Sequence, residues 1–126
     1  MICDVAERID QLHDSGFAHR DLKPGNIMLL PHRLTWVLID FGISARIGEQ
    51  APLQFTHNYA APETAAAFCQ GQSTMMSSAE VDAWALGVIG YEVLVGKHPF
   101  LLTPKDDVRL LRTAVLFGKE DIFAKV

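Results

Sequence analysis

A chain of 126 residues that is 49% hydrophobic and 21% charged has the size and composition of one folded domain, and it is too apolar for a disordered tail. Its net charge of −4, with no basic cluster, argues against nucleic acid or an anionic membrane as the main partner. Cys3 and Cys69 have neither metal-ligand spacing nor a disulfide framework, and Asp4, Glu7, Arg8 and Asp10 leave no room for a secretory signal, so the chain reads as cytoplasmic.

Ile2, Val5, Ile9 and Leu12 recur at helical spacing, and Gly16 supplies a left-handed terminator, so the first element is a helix ending near Ser15. A polar run follows, His19-Arg20-Asp21-Leu22-Lys23-Pro24-Gly25-Asn26, set between apolar patches. Residues 27–30 and 35–39 are short, partly β-branched runs separated by Pro31-His32-Arg33, which predicts a small hairpin. Antiparallel pairing would bring Asn26 and Asp40 to the same edge. Residues 42–62 contain Gly42, Gly48, Pro52 and Pro62 with no sustained period, the pattern of a long functional loop. Ser77 followed by Glu80 forms a capping-box pattern, and the helix it opens is apolar nearly all round to Leu94, so neighbours are expected to enclose it. Asp82 and Glu92 interrupt that segment, which is shorter than the ~20 residues a bilayer requires. Gly96 ends it, and Thr103-Pro104 predicts a further helix closed by Gly118.

Asp21, Lys23, Asn26 and Asp40 would therefore line one rim with two carboxylates, an amide oxygen and an ammonium. Carboxylate plus amide oxygen suits Mg²⁺, which takes few protein ligands and completes its shell with water and phosphate. Lys23 adds a point charge for phosphate, and Asp21 is left as a base or orienting group for a nucleophile. Taken singly, an Asp in a turn is most often a cap or an Asx-turn, so the weight lies on the combination.

The order of the motifs sharpens the reading. Residues 19–26 resemble the catalytic loop of eukaryotic protein kinases, Asp40-Phe41-Gly42 is similar to their metal-binding DFG, and Ala61-Pro62-Glu63 to the APE that closes the activation segment. Val81-Asp82-Ala83-Trp84-Ala85-Leu86-Gly87 resembles the start of their buried F helix. The resemblance implies Asp21 as the catalytic aspartate, Lys23 at the γ-phosphate of ATP, and Asn26 and Asp40 as the Mg²⁺ ligands. It implies that Thr56 bonds Asp21, that His19 and Phe41 stack in support beside Gly42, and that Asp82 holds the catalytic-loop backbone. Arg20 would receive a phosphate from the activation segment, which Glu63 closes. Between Gly42 and Phe55, however, Ser44 is the sole hydroxyl and Pro52 stands at the usual acceptor position, so phosphorylation is not expected as the on-switch and Glu49 becomes a candidate fixed charge.

The fold implied is α+β: a mostly α-helical, kinase-like C-lobe with a small antiparallel hairpin, truncated at both ends. Residues 1–126 would form a partial kinase domain, from the E helix to about the G helix, lacking the glycine-rich loop and lysine strand of the small lobe. Leu22-Lys23-Pro24 is the serine/threonine form, so the function implied is ATP- and Mg²⁺-dependent phosphoryl transfer to protein Ser/Thr hydroxyls, weak or inactive in isolation. The open small-lobe face would call for a covering partner. Two alternatives stand beside this: a pseudokinase-like interaction module without turnover, and a small-molecule kinase of the aminoglycoside type. The latter usually lacks the Arg-Asp-Leu-Lys-Pro run and has no APE segment.

Overall fold

The computed structural model describes residues 1–99, so the predicted helix after Thr103 lies outside the described residues. Helix α1 (Ile2–Asp14) turns Val5 and Ile9 inward, four residues apart on one stripe. It ends as the glycine predicts: Gly16 takes φ +93°, where a Cβ would be strained, and its N–H closes on the His13 carbonyl at 2.9 Å. Strand β1 (Phe17–Ala18) leads into the polar run, which ends in a 3₁₀ turn at Pro24–Asn26. Strands β2 (Ile27–Leu30) and β3 (Thr35–Leu38) form the predicted antiparallel hairpin, with Ile27 opposite Leu38 and Leu30 opposite Thr35.

The stretch read as a long loop contains two short strands, β4 (Ala45–Arg46) and β5 (Gln50–Pro52). β4 pairs with β1. After a 3₁₀ turn at His57–Tyr59 comes helix α2 (Pro62–Cys69), with proline in its first turn where no intrahelical donor is needed. Strand β6 (Thr74–Met76) then pairs antiparallel with β5. Helix α3 (Ala79–Val95) closes the described fold and ends at Gly96, whose φ is +84°.

The capping-box expectation fails at Ser77. The helix starts two residues later with Ser78 at its N-cap, and Ser77 Oγ donates instead to the Ala45 carbonyl at 3.2 Å. The Ala45 carbonyl, 32 residues away in the chain, takes the hydroxyl in place of the helix-end amides. Enclosure of α3 is also partial: Asp82, Ala85, Val88 and Ile89 are buried, whereas Val93, Leu94 and Val95 are exposed.

The core joins α1, the polar run, the hairpin and α3 through Val5, Ile9, Leu22, Ile27, Ala85 and Ile89, with Trp36, Leu38, Tyr59 and Leu86 packed against it. Each large aliphatic side chain there contributes about 1.5–3 kcal/mol by leaving water. Leu22 is the residue that matters for the site, because its burial anchors the middle of an otherwise polar loop. Among the described residues no helix is long and apolar enough to cross a membrane.

Candidate active site

The polar run is shaped by one buried carboxylate. Asp82, fully buried on α3, accepts the backbone N–H of His19 at 2.8 Å, the backbone N–H of Arg20 at 2.9 Å and His13 Nε2 at 2.8 Å. A carboxylate only accepts, so His13 presents its Nε2 proton. Pinning two successive amides lets Arg20 occupy φ +74°, a conformation rare outside glycine. His19, also fully buried, is the continuation of this scaffold: its Nδ1 accepts the Asp21 N–H at 3.2 Å, its Nε2 donates to the Ile39 carbonyl at 2.9 Å, and its ring lies 5.0 Å from that of Phe41.

Asp21 emerges half-buried from this frame. Thr56 Oγ1 donates to Asp21 Oδ1 at 2.8 Å and accepts from Lys23 Nζ at 3.2 Å, while Lys23 Nζ stands 3.6 Å from Asp21 Oδ2. Thirty-five residues separate Thr56 from Asp21 in the chain, so this juxtaposition is a product of the fold. Asn26 turns its Nδ2 to the Asp21 carbonyl at 2.7 Å and lies 3.4 Å from Asp21 Oδ2, which leaves its amide oxygen as the unused acceptor.

The hairpin closes the rim. The Ile39 N–H donates to the Asn26 carbonyl at 2.9 Å, so Asp40 stands one residue beyond the backbone partner of Asn26. Asp40 adopts φ +57° and is exposed; its Oδ1 accepts the Gly42 N–H at 3.3 Å, and a Cβ on Gly42 would meet that oxygen at 3.2 Å. The donor set fits a hard cation: one amide oxygen and one solvent-facing carboxylate oxygen remain uncommitted. Among the described residues no group of three or more His, Cys, Asp or Glu side chains gathers that could hold a metal ion.

Arg20 is bonded to main-chain carbonyls. Its side chain, 7% exposed, donates from Nη1 to the Ile43 carbonyl at 3.0 Å and from Nη2 to the Pro52 carbonyl at 2.7 Å. Burial pulls its pKa below the ordinary arginine value, and the nearby Asp82 acts in the opposite sense. Glu49 is exposed and, among the described residues, forms no ion pair with Arg20. Glu63, in the first turn of α2, is exposed.

The family model described as "protein kinase domain" matches residues 1–119. The chain belongs to the protein kinase family. The three α-helices and small antiparallel sheets of the described residues fit that fold. Among curated relatives, the chain is 39% identical to the mouse serine/threonine-protein kinase Kist over 98 residues, which is 74% of this chain and 23% of that protein. It is 42% identical to human serine/threonine-protein kinase 32C over 102 residues, 79% of this chain and 20% of the relative. With a probable myosin light chain kinase of Dictyostelium discoideum it shares 38% over 114 residues, 87% of this chain and 35% of the relative. The kinase chain thus spans between about a fifth and a third of the length of these relatives.

Sequence reasoning missed several supports of this candidate site. His13, the third donor to Asp82, falls four residues after Ile9 on the inward stripe of α1, and a polar residue on an apolar stripe was the available signal. Tyr59 lies beside Glu92, and burial together with that carboxylate pushes its pKa above the usual phenol value; no local pattern marks such a pair. Ser44, noted in the sequence only as the sole hydroxyl of its loop, donates from Oγ to the His19 carbonyl at 3.3 Å.

Proposed function

We propose that the chain is the large-lobe half of a protein serine/threonine kinase, a partial kinase domain in which Asp21 receives the proton of a protein hydroxyl as it attacks ATP. The observation that carries this is the Asp21 carboxylate held by Thr56 at 2.8 Å with the Lys23 ammonium 3.6 Å away. In the step, a bond forms between the substrate oxygen and the γ-phosphorus. The bond to the β,γ-bridging oxygen breaks, ADP departs with that electron pair, and the hydroxyl proton passes to Asp21. Thr56 and Asn26 fix the carboxylate so that its free lone pairs face the nucleophile, and Lys23 places positive charge where phosphoryl charge gathers. Asn26 and Asp40 would hold Mg²⁺, which when bound neutralises phosphate charge. The Leu22-Lys23-Pro24 sequence and the relatives named as serine/threonine kinases support Ser/Thr acceptors.

A second reading, a binding module without turnover, is favoured by one observation. A cavity of about 370 Å³ lies open between α1 and β3, lined by Arg8, Gln11, Leu12, Val37, Leu38 and Phe41, an apolar wall that a small lobe or another partner would cover. Transfer of labelled γ-phosphate from ATP to a serine peptide, with and without Mg²⁺, separates the readings. Asp21→Asn is expected to slow it by about 10²–10⁴-fold, the usual contribution of a positioned base. An Asp21→Asn rate equal to the parent's, or no transfer by the full-length protein, rejects catalysis.

A further inference from the structure

The segment between Gly42 and Phe55 is where a phosphate would be expected to act, and it is held by other means. Both terminal nitrogens of Arg20, the pair that would grip a phosphate side by side, are bonded to main-chain carbonyls at Ile43 and Pro52. β5 and β6 pair at Gln50 with Met76, Ala51 with Met75 and Pro52 with Thr74. The pairing runs on at both ends: the Leu53 N–H donates to the Ser73 carbonyl at 2.9 Å and the Ser77 N–H to the Glu49 carbonyl at 2.8 Å. Ser77, 1% exposed, also accepts the Gly48 N–H at 2.9 Å and donates its hydroxyl to the Ala45 carbonyl at 3.2 Å. One buried serine thereby ties three positions of the segment. On the opposite side, β4 pairs with β1 and the Ile47 N–H donates to the Gly16 carbonyl at 2.9 Å. Ser44, the sole hydroxyl of the segment, is half-buried and bonded to the His19 carbonyl.

We infer that β6 and Ser77 form a built-in clip that keeps residues 45–53 in place, so that Thr56 is held against Asp21 without phosphorylation of the segment. Ser77 and Arg20 are positioning residues in this scheme. The clip brings to the segment the paired backbone hydrogen bonds that elsewhere have to be bought by ordering a loop around an added charge. The functional half of the inference rests on the kinase reading, whereas the clip itself is measurable without turnover.

Hydrogen exchange on the full chain, shown by mass to carry no phosphate, tests it. The Gly48, Leu53 and Ser77 amides are expected to be protected in the parent, and treatment with phosphatase to leave them unchanged. Ser77→Ala is expected to speed the Gly48 amide about fivefold, the ratio one net hydrogen bond supports. Met75→Pro, which removes the amide opposite Ala51, is expected to speed the segment by about a hundredfold. The Val88 and Ile89 amides of α3 should stay slow in both variants. Where transfer is measured, Ser77→Ala should lower kcat and leave the KM for ATP unchanged. Unprotected exchange at Gly48 and Leu53 in the phosphate-free parent overturns the clip, and that arm needs no variant to fold. So does protection that arises only once Ser44 is phosphorylated. Protection together with no phosphoryl transfer by the full-length protein upholds the clip and rejects the kinase reading instead.

Discussion

Replacing Asp82 is expected to damage the site from beneath without touching it. In Asp82→Ala the backbone amides of His19 and Arg20, bonded to the carboxylate at 2.8 and 2.9 Å, lose their acceptor in a buried place. Each buried unsatisfied donor costs about 1–3 kcal/mol. His13, 18% exposed, can turn towards solvent and adds little. The loss expected is about 2–6 kcal/mol, a large share of the ~5–15 kcal/mol that holds a domain together. Asp82→Asn keeps one acceptor oxygen but aims an N–H₂ group at a donor, so about 2–3 kcal/mol is expected. Urea denaturation followed by circular dichroism gives the totals, and hydrogen exchange at His19 and Arg20 reports the loop before global unfolding. Asp4→Ala, which removes only a 3.4 Å contact to the Trp36 N–H, serves as the control and should stay within about 1 kcal/mol. Parent-like exchange at His19 and Arg20 in Asp82→Ala would refute the reasoning.

Thr56→Ala should lower phosphoryl transfer by about 10–100-fold through loss of Asp21 orientation, with Thr56→Ser restoring most of it; a serine variant as slow as alanine would mean that the hydroxyl is not the relevant group. Asp40→Asn retains a side chain tolerant of φ +57° and should leave the urea midpoint unchanged while weakening Mg²⁺ binding, read by Mg²⁺ titration of transfer. Tyr59→Phe leaves the Glu92 carboxylate without its phenol partner and is expected to cost about 1–2 kcal/mol at neutral pH. Because the folded state holds the Tyr59 proton above its ordinary value of 10.0, its contribution is whole below that pH and falls as pH rises beyond it. Denaturation between pH 8 and 11 should therefore show an alkaline decline in the parent that Tyr59→Phe lacks.

The parts of this fold that repeat a pattern were readable from the chain. Helix α1 and both glycine terminators announced themselves through periodicity and through φ values only glycine takes easily, and the hairpin was placed to within a residue. The residues expected at the rim carried their chemistry in their order, but which atom meets which was not legible: Thr56 reaches Asp21 only because the chain between them folds back. Strands β4, β5 and β6 escaped because two or three residues are too few to show alternation, and their pairing is decided by partners 22 or more residues away. Ser77 was misread because a local capping pattern and a distant carbonyl make the same demand on a hydroxyl, and sequence displays only the first. The apolar circumference of α3 suggested enclosure to its end, yet Val93, Leu94 and Val95 in its last turn are exposed.

The pairing of Ile27 with Leu38 sets what this chain can tolerate through evolutionary change. Residues may be added or lost at Pro31–Leu34, where the tip projects outward, with little consequence for the far end. A single insertion within either leg would instead rotate every following side chain to the opposite face, sending the Asn26 end of one strand out of step with the Asp40 end of the other. Natural length variation in relatives should therefore fall at the tip and avoid the legs.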